Sequence, residues 1–162
     1  MKNRYYIGID PGINGGVAVL DTYGKLLMLE EYSQCKTLTL FWSIDQTINL
    51  DIYVEKVGSR PKDSAKSAFT FGENYGYYKG IINSLILKSI AGRNINLIDT
   101  NSQTWERAMK CERAASYKQR KINCLERAKE IFPDFKTVNL NTCDALLIAE
   151  YGRQISLKEE KI

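Results

Sequence analysis

The sequence predicts a single α/β domain, a mixed five-stranded sheet with helices on both faces. Three observations predict it. The chain opens with three β-rich runs joined by short, glycine-bearing turns, which form an antiparallel meander. Strands and helices then alternate, as they do where crossovers cover a parallel sheet. The length of 162 residues fits one domain on a prior of roughly 100–200 residues, and 44% hydrophobic residues are enough for one core.

The elements follow in order. Residues 5–9 read as a strand that enters the turn Asp10-Pro11-Gly12, residues 17–20 as a second strand, and residues 25–32 as a third. Residues 37–48 place Leu40, Phe41, Ile44 and Ile48 at helical spacing. Residues 51–55 form a short buried strand, and a basic loop follows at 56–66. A long helix is predicted over 67–90, a strand over 96–98 and a short helix over 102–110. Residues 116–131 form a helix with Ile122, Leu125, Ala128 and Ile131 inward, stopped by Pro133. The last helix spans 142–153. The domain is expected to cover residues 1–155 and the tail at 156–162 to fray.

Composition excludes several chemistries. The chain has no histidine, which removes imidazole bases and the Ser-His and Cys-His nucleophile systems. Cys35, Cys111, Cys124 and Cys143 include no C-x-x-C pair, so a structural zinc site is not expected, and reduced, partly buried thiols are. No apolar run is long enough to span a bilayer. Gly8, Asp10 and Pro11 follow the basic start too soon for a signal-peptide core, so the chain is expected in the cytoplasm, of a bacterium or of a virus-infected host cell. The net charge of +4 is uneven: residues 56–136 carry +8 and the two ends are acidic. Basic surface beside a few fixed acids suits a protein that holds phosphates with one and metal with the other.

Three acids stand where the backbone presents them. Asp10 closes the first strand, Glu55 ends the strand at 51–55, and Asp144 lies in the first turn of the last helix. In open α/β sheets functional groups collect at strand ends. If the first and fourth strands are adjacent and parallel, Asp10 and Glu55 meet. Carboxylates gathered this way repel unless a cation lies between them, and oxygen-only ligands select hard ions such as Mg²⁺ or Mn²⁺. Two such ions about 3.5–4 Å apart suit phosphodiester hydrolysis. Taken singly, each acid also reads as a turn residue, a surface charge or a helix N-terminal acid.

The run Ile7-Gly8-Ile9-Asp10-Pro11-Gly12-Ile13-Asn14-Gly15-Gly16-Val17-Ala18 resembles the opening of RuvC-type Holliday junction resolvases. Tyr53-Val54-Glu55-Lys56-Val57 resembles the family's second acidic strand, and Cys143-Asp144-Ala145-Leu146-Leu147-Ile148-Ala149-Glu150-Tyr151-Gly152-Arg153 its closing helix. Phe69-Thr70-Phe71-Gly72-Glu73-Asn74-Tyr75-Gly76 and Thr104-Trp105 resemble the phage-type branch. The blocks occur in the family's order over nearly the whole chain. The resemblance implies an RNase H-like fold and a homodimer that cuts four-way DNA junctions symmetrically with Mg²⁺ or Mn²⁺, two ions per site. It also implies Asp10, Glu55 and Asp144 as catalytic, metal-binding acids. The family usually has a fourth acid, or a histidine, just before the last one. Residues 139–143 hold none, and Asn141 is the candidate neutral oxygen ligand in its place.

Arg60, Lys62 and Lys66 after Glu55, and Lys118, Arg120 and Lys121 at the start of the helix before Pro133, are the expected phosphate contacts. Phe69 and Phe71 either stack at an opened junction or belong to the core. Gly72, Gly76 and Gly80 line one helical face, which meets either the sheet or a second subunit, unless the helix breaks at Gly72. Two other functions compete: junction binding without cleavage, and an actin-like or sugar-kinase ATPase, whose phosphate loop resembles Asp10-x-Gly12-x-x-Gly15. The latter needs two such domains. A dinucleotide site fits the early glycines poorly, because Pro11 and a strand follow where that motif requires a helix.

Overall fold

A computed structural model describes residues 3–56, 64–89 and 93–159. Five strands, β1 (Arg4–Asp10), β2 (Gly16–Asp21), β3 (Leu26–Glu31), β4 (Asn49–Glu55) and β5 (Ile95–Thr100), form one sheet in the order β3-β2-β1-β4-β5. β1 to β3 are antiparallel, whereas β4 pairs in parallel with both β1 and β5. The mixed five-stranded sheet is the one predicted. Gly24 allows the tight β2–β3 turn with φ +83°, while Asp21 accepts from the Tyr23 and Lys25 amides.

Strand periodicity sorts the helices. Ile7, Ile9, Ile52 and Val54 face α1 (Gln34–Ser43) and α2 (Ala65–Lys88), burying Phe41, Tyr78 and Ile82. Tyr6, Ala18 and Tyr53 face α3 (Ser102–Ala108), α4 (Tyr117–Ile131) and α5 (Cys143–Glu159), burying Trp105, Cys124 and Leu146. α5 crosses β1 and β4 at minimal distance. A Cβ at Gly8 would collide with the Ala145 carbonyl and the Ala149 amide, and one at Gly152 with the Tyr53 ring.

Several boundaries differ from expectation. α1 starts three residues early because the Ser33 side chain accepts from the Lys36 amide, and it stops before Ile44 because Asp45 caps a turn at Thr47. Ile44 and Ile48 are buried, but outside the helix. α5 runs to Glu159 rather than stopping at Arg153: Ser156 is buried and bonded to Asp51 and Tyr53, which holds the helix on the sheet. α4 is rotated from the predicted phase. Lys121, Cys124 and Ala128 are its buried residues, and Ile122, Leu125 and Ile131 are half-buried. No helix among the described residues is long and apolar enough to cross a membrane.

Candidate active site

Asp10 and Glu55 are the last residues of adjacent parallel strands, one step past the Ile9–Val54 register pair. Both lie on the sheet face that α5 covers, and Asp144 enters from the first turn of that helix. The three carboxylates each offer an oxygen within 4.8 Å of the others. They are 6%, 7% and 1% exposed, in that order, so water screens their repulsion little. The loop after β1 is built around Asp10. Its Oδ1 accepts from the Gly12 amide at 3.0 Å, and a Cβ at Gly15 would strike the Asp10 backbone.

The acids are held in place from outside the strands. Asn139 caps α5, its side-chain oxygen accepting from the Asn141 and Thr142 amides at 2.8 and 3.2 Å. Asn141, the expected fourth ligand, lies two residues before α5 and donates its backbone amide into this cap. Two cations enter from α4. Lys121 Nζ lies 2.8 Å from Asp144 Oδ2 and 3.4 Å from Asp10 Oδ2. Arg120 Nη2 lies 3.1 Å from Asp144 Oδ2 and 2.6 Å from Glu106 Oε1, with its guanidinium near the Trp105 and Tyr117 rings.

Burial, and then repulsion from Asp10 and Asp144, push the Glu55 carboxyl up to about 8. Burial raises Asp10 as well, against the pull of Lys121. Burial disfavours the Lys121 ammonium, but Asp144 and Asp10 outweigh it and keep the group firmly protonated. Without a bound cation Glu55 is thus largely protonated near neutral pH. Three buried carboxylates so close form a group able to hold a divalent cation, and their all-oxygen donors fit a hard one.

The acids form the floor of a cleft of about 490 Å³. Phe71, Tyr75 and Tyr117 give it aromatic walls, and Lys66 lies at its rim. Of the expected phosphate contacts, Lys66 and Lys118 are exposed. Arg120 and Lys121 turn inward to the acids instead, a consequence of the rotated phase of α4. Arg60 and Lys62 lie outside the described residues. Phe69 is 67% exposed and Phe71 half-buried in the cleft, so neither belongs to the core. Sequence reasoning missed Glu106, which anchors Arg120, and the cleft aromatics Tyr75 and Tyr117. Lys121 had a readable signal: with Cys124 and Ala128 it forms an i, i+3, i+7 stripe.

No protein-family model and no curated protein matches the chain. Two solved structures are similar across 96% of this chain and 96% of theirs. One is Thermus thermophilus RuvC in complex with a Holliday junction substrate, at 16% identity and a TM-score of 0.61. The other is the T. thermophilus RuvC structure, at 16% identity and a TM-score of 0.57. The sheet order, the helices on both faces and this similarity together give the chain the RuvC fold, an RNase H-like α/β architecture.

Proposed function

We propose that the chain is a metal-dependent endonuclease that resolves four-way DNA junctions, acting as a homodimer with Asp10, Glu55 and Asp144 as its metal-binding acids. The observation that carries this reading is the convergence of those three buried carboxylates at one end of the sheet. A divalent ion bound there supplies Lewis acidity for phosphodiester hydrolysis, activating water and stabilising the leaving oxygen.

The chain's own residues set up that chemistry. Asp10, Glu55 and Asp144 present carboxylate oxygens to one position, and Glu55 gives up a proton when a cation arrives. Lys121 and Arg120 keep positive charge beside the position of a scissile phosphate. Phe71, Tyr75 and Tyr117 offer faces on which unpaired bases at a branch point stack. Lys66 and Lys118 on the exposed surface, with Arg60 and Lys62 shortly after β4 in the sequence, supply phosphate contacts without sequence preference. A symmetric dimer places one such cleft on each of two like strands.

Purified protein with Mg²⁺ or Mn²⁺ is expected to nick a synthetic four-way junction in paired strands. Asp10→Asn and Asp144→Asn are expected to abolish cutting while retaining junction binding. Cutting by Asp144→Asn at the wild-type rate overturns the site assignment. The absence of a fourth acid among residues 139–143 favours one competitor, a junction-binding protein without cleavage. Metal-independent binding with no product under any divalent ion is its signature.

A further inference from the structure

We propose that Glu106 is a positioning residue for the proposed hydrolysis: it grips one edge of the Arg120 guanidinium and so holds another edge beside the acids, as a fork for a phosphate of the bound strand. This role rests on the nuclease reading, and the two fail in different ways when tested.

Glu106 is fixed by its own helix. Asn101 caps α3, its side-chain oxygen accepting from the Thr104 amide at 2.9 Å and the Thr104 hydroxyl at 2.8 Å. Trp105, fully buried, pins the helix to the core, and the next side chain, Glu106, emerges at the margin of that core. The Cys111 amide then closes the end of α3 onto the Glu106 carbonyl at 2.9 Å. Arg120 comes from the first turn of α4, where its amide donates to the Ser116 carbonyl at 3.0 Å. Two capped helix ends thus bring together a carboxylate and a guanidinium that are 14 residues apart in sequence.

Glu106 takes one particular edge of Arg120. Nε donates to Glu106 Oε1 at 2.7 Å, and Nη2 lies 2.6 Å from the same oxygen, so Glu106 fills the edge that those two nitrogens share. Nη2 also reaches Asp144 Oδ2 at 3.1 Å, which turns the edge made by Nη2 and Nη1 towards the acids. Nη1 makes no hydrogen bond or ion pair among the described residues. The Trp105 and Tyr117 rings lie 5.7 and 5.8 Å from Cζ and restrict the guanidinium further. Arg120 lines the same cleft as Asp10, Glu55 and Asp144. An arginine fork matches two phosphate oxygens, and one already oriented loses less freedom when it binds them. Charge alone argues against an acid here, because Glu106 subtracts from the positive potential that draws a polyanion into the cleft. Its contribution is therefore to the placement of Arg120 at the reacting phosphate and not to affinity, which makes it an effect on kcat.

The test uses the full chain carrying Trp42→Phe, which leaves Trp105 as the sole tryptophan, its emission reporting the guanidinium over its ring. Trp42 is exposed, so its loss leaves the core intact. Glu106→Ala, Glu106→Gln, Arg120→Met and the Glu106→Ala/Arg120→Met pair are compared on a synthetic four-way junction with Mn²⁺. Glu106→Ala is expected to lower kcat at least about tenfold with KM unchanged or lower, and to move the Trp105 emission in the same direction as Arg120→Met. Glu106→Gln, which keeps an oxygen for Nε, is expected to recover part of kcat. On the Arg120→Met background, Glu106→Ala is expected to change neither reading further. An unchanged kcat, a loss carried by KM, an unmoved Trp105 emission, or a further kcat loss on Arg120→Met overturns the positioning role while the nuclease reading stands. No product from the wild-type chain with Mn²⁺ or Mg²⁺ sinks the nuclease reading, and this role with it.

Discussion

Lys121 Nζ sits 2.8 Å from Asp144 Oδ2, so the carboxylate cluster contains an ammonium from its own chain. Asp10, at 3.4 Å, shares the same cation. Without a divalent ion, Lys121 offsets the repulsion between the two aspartates. An incoming cation meets that positive charge and has to share or displace it.

Lys121→Met tests this balance. Removing one partner of a buried pair typically costs about 3–5 kcal/mol, and proton uptake by an aspartate brings the cost to the low end or below. For a chain of this size that corresponds to a Tm lower by roughly 6–10 °C in EDTA. The same variant is expected to bind Mn²⁺ about tenfold more tightly, a difference of about 1.4 kcal/mol, because a competing charge is gone. Thermal shift with and without Mn²⁺, together with calorimetry, reads both effects. Weaker Mn²⁺ binding by Lys121→Met would falsify the role of Lys121 as an internal counter-cation.

Glu55 makes the site sensitive to pH. Its carboxyl is raised from 4.5 to about 8. With the folded value above the unfolded one, Glu55 contributes stability that is fully present below about pH 4.5 and is lost as pH rises towards 8. Denaturation in EDTA should show stability falling across this window, with a shallower fall in Glu55→Gln. Metal binding runs the other way. A proton must leave Glu55, so affinity rises up to about tenfold per pH unit below 8, and binding at pH 7 releases close to one proton. Calorimetry in two buffers of different ionisation heat counts that proton; a count of zero contradicts the raised value.

Much of this arrangement was legible in the sequence because it depends on local pattern. Asp10 and Glu55 each close a β-rich run, and parallel pairing of β1 with β4 then brings them together. Asp144 is readable as the first-turn acid of a strongly apolar helix. The inward turn of Arg120 and Lys121 was not read, because it depends on the rotation of α4 against α5, which tertiary packing decides. The apolar residues Ile122, Leu125 and Ile131 suggested a phase one residue away. The cleft-facing side of α2 was likewise illegible: Phe71 and Tyr75, at i and i+4, have the same helical spacing whether they face core or cleft.

Glycines separate packing constraints from open surface. Gly8 admits α5 onto the sheet, since a Cβ there would meet backbone atoms of Ala145 and Ala149, which cannot rotate away. Gly8→Ala is expected to lift α5 from β1 and carry Asp144 with it. The stability loss should exceed about 4 kcal/mol, beyond the range of ordinary substitutions. Chemical denaturation and near-UV circular dichroism measure it. A native-like Gly8→Ala protein contradicts the close crossing.

Gly72, Gly76 and Gly80 behave oppositely. A Cβ at any of the three meets nothing within 4 Å, so the sheet does not require them to be small. Each nevertheless weakens the helix by roughly 0.5–1 kcal/mol relative to alanine. If the proposed homodimer pairs through this face of α2, the bare backbone there permits close approach. Gly76→Ala should therefore stabilise the isolated chain by up to about 1 kcal/mol. Gly76→Leu, which adds bulk at the same open position, should leave the monomer folded and weaken self-association by at least about tenfold, or 1.4 kcal/mol. Sedimentation velocity across a concentration series distinguishes the outcomes. An unchanged dimer in Gly76→Leu moves the subunit contact away from this face of α2, and a monomeric wild-type protein removes the dimer altogether.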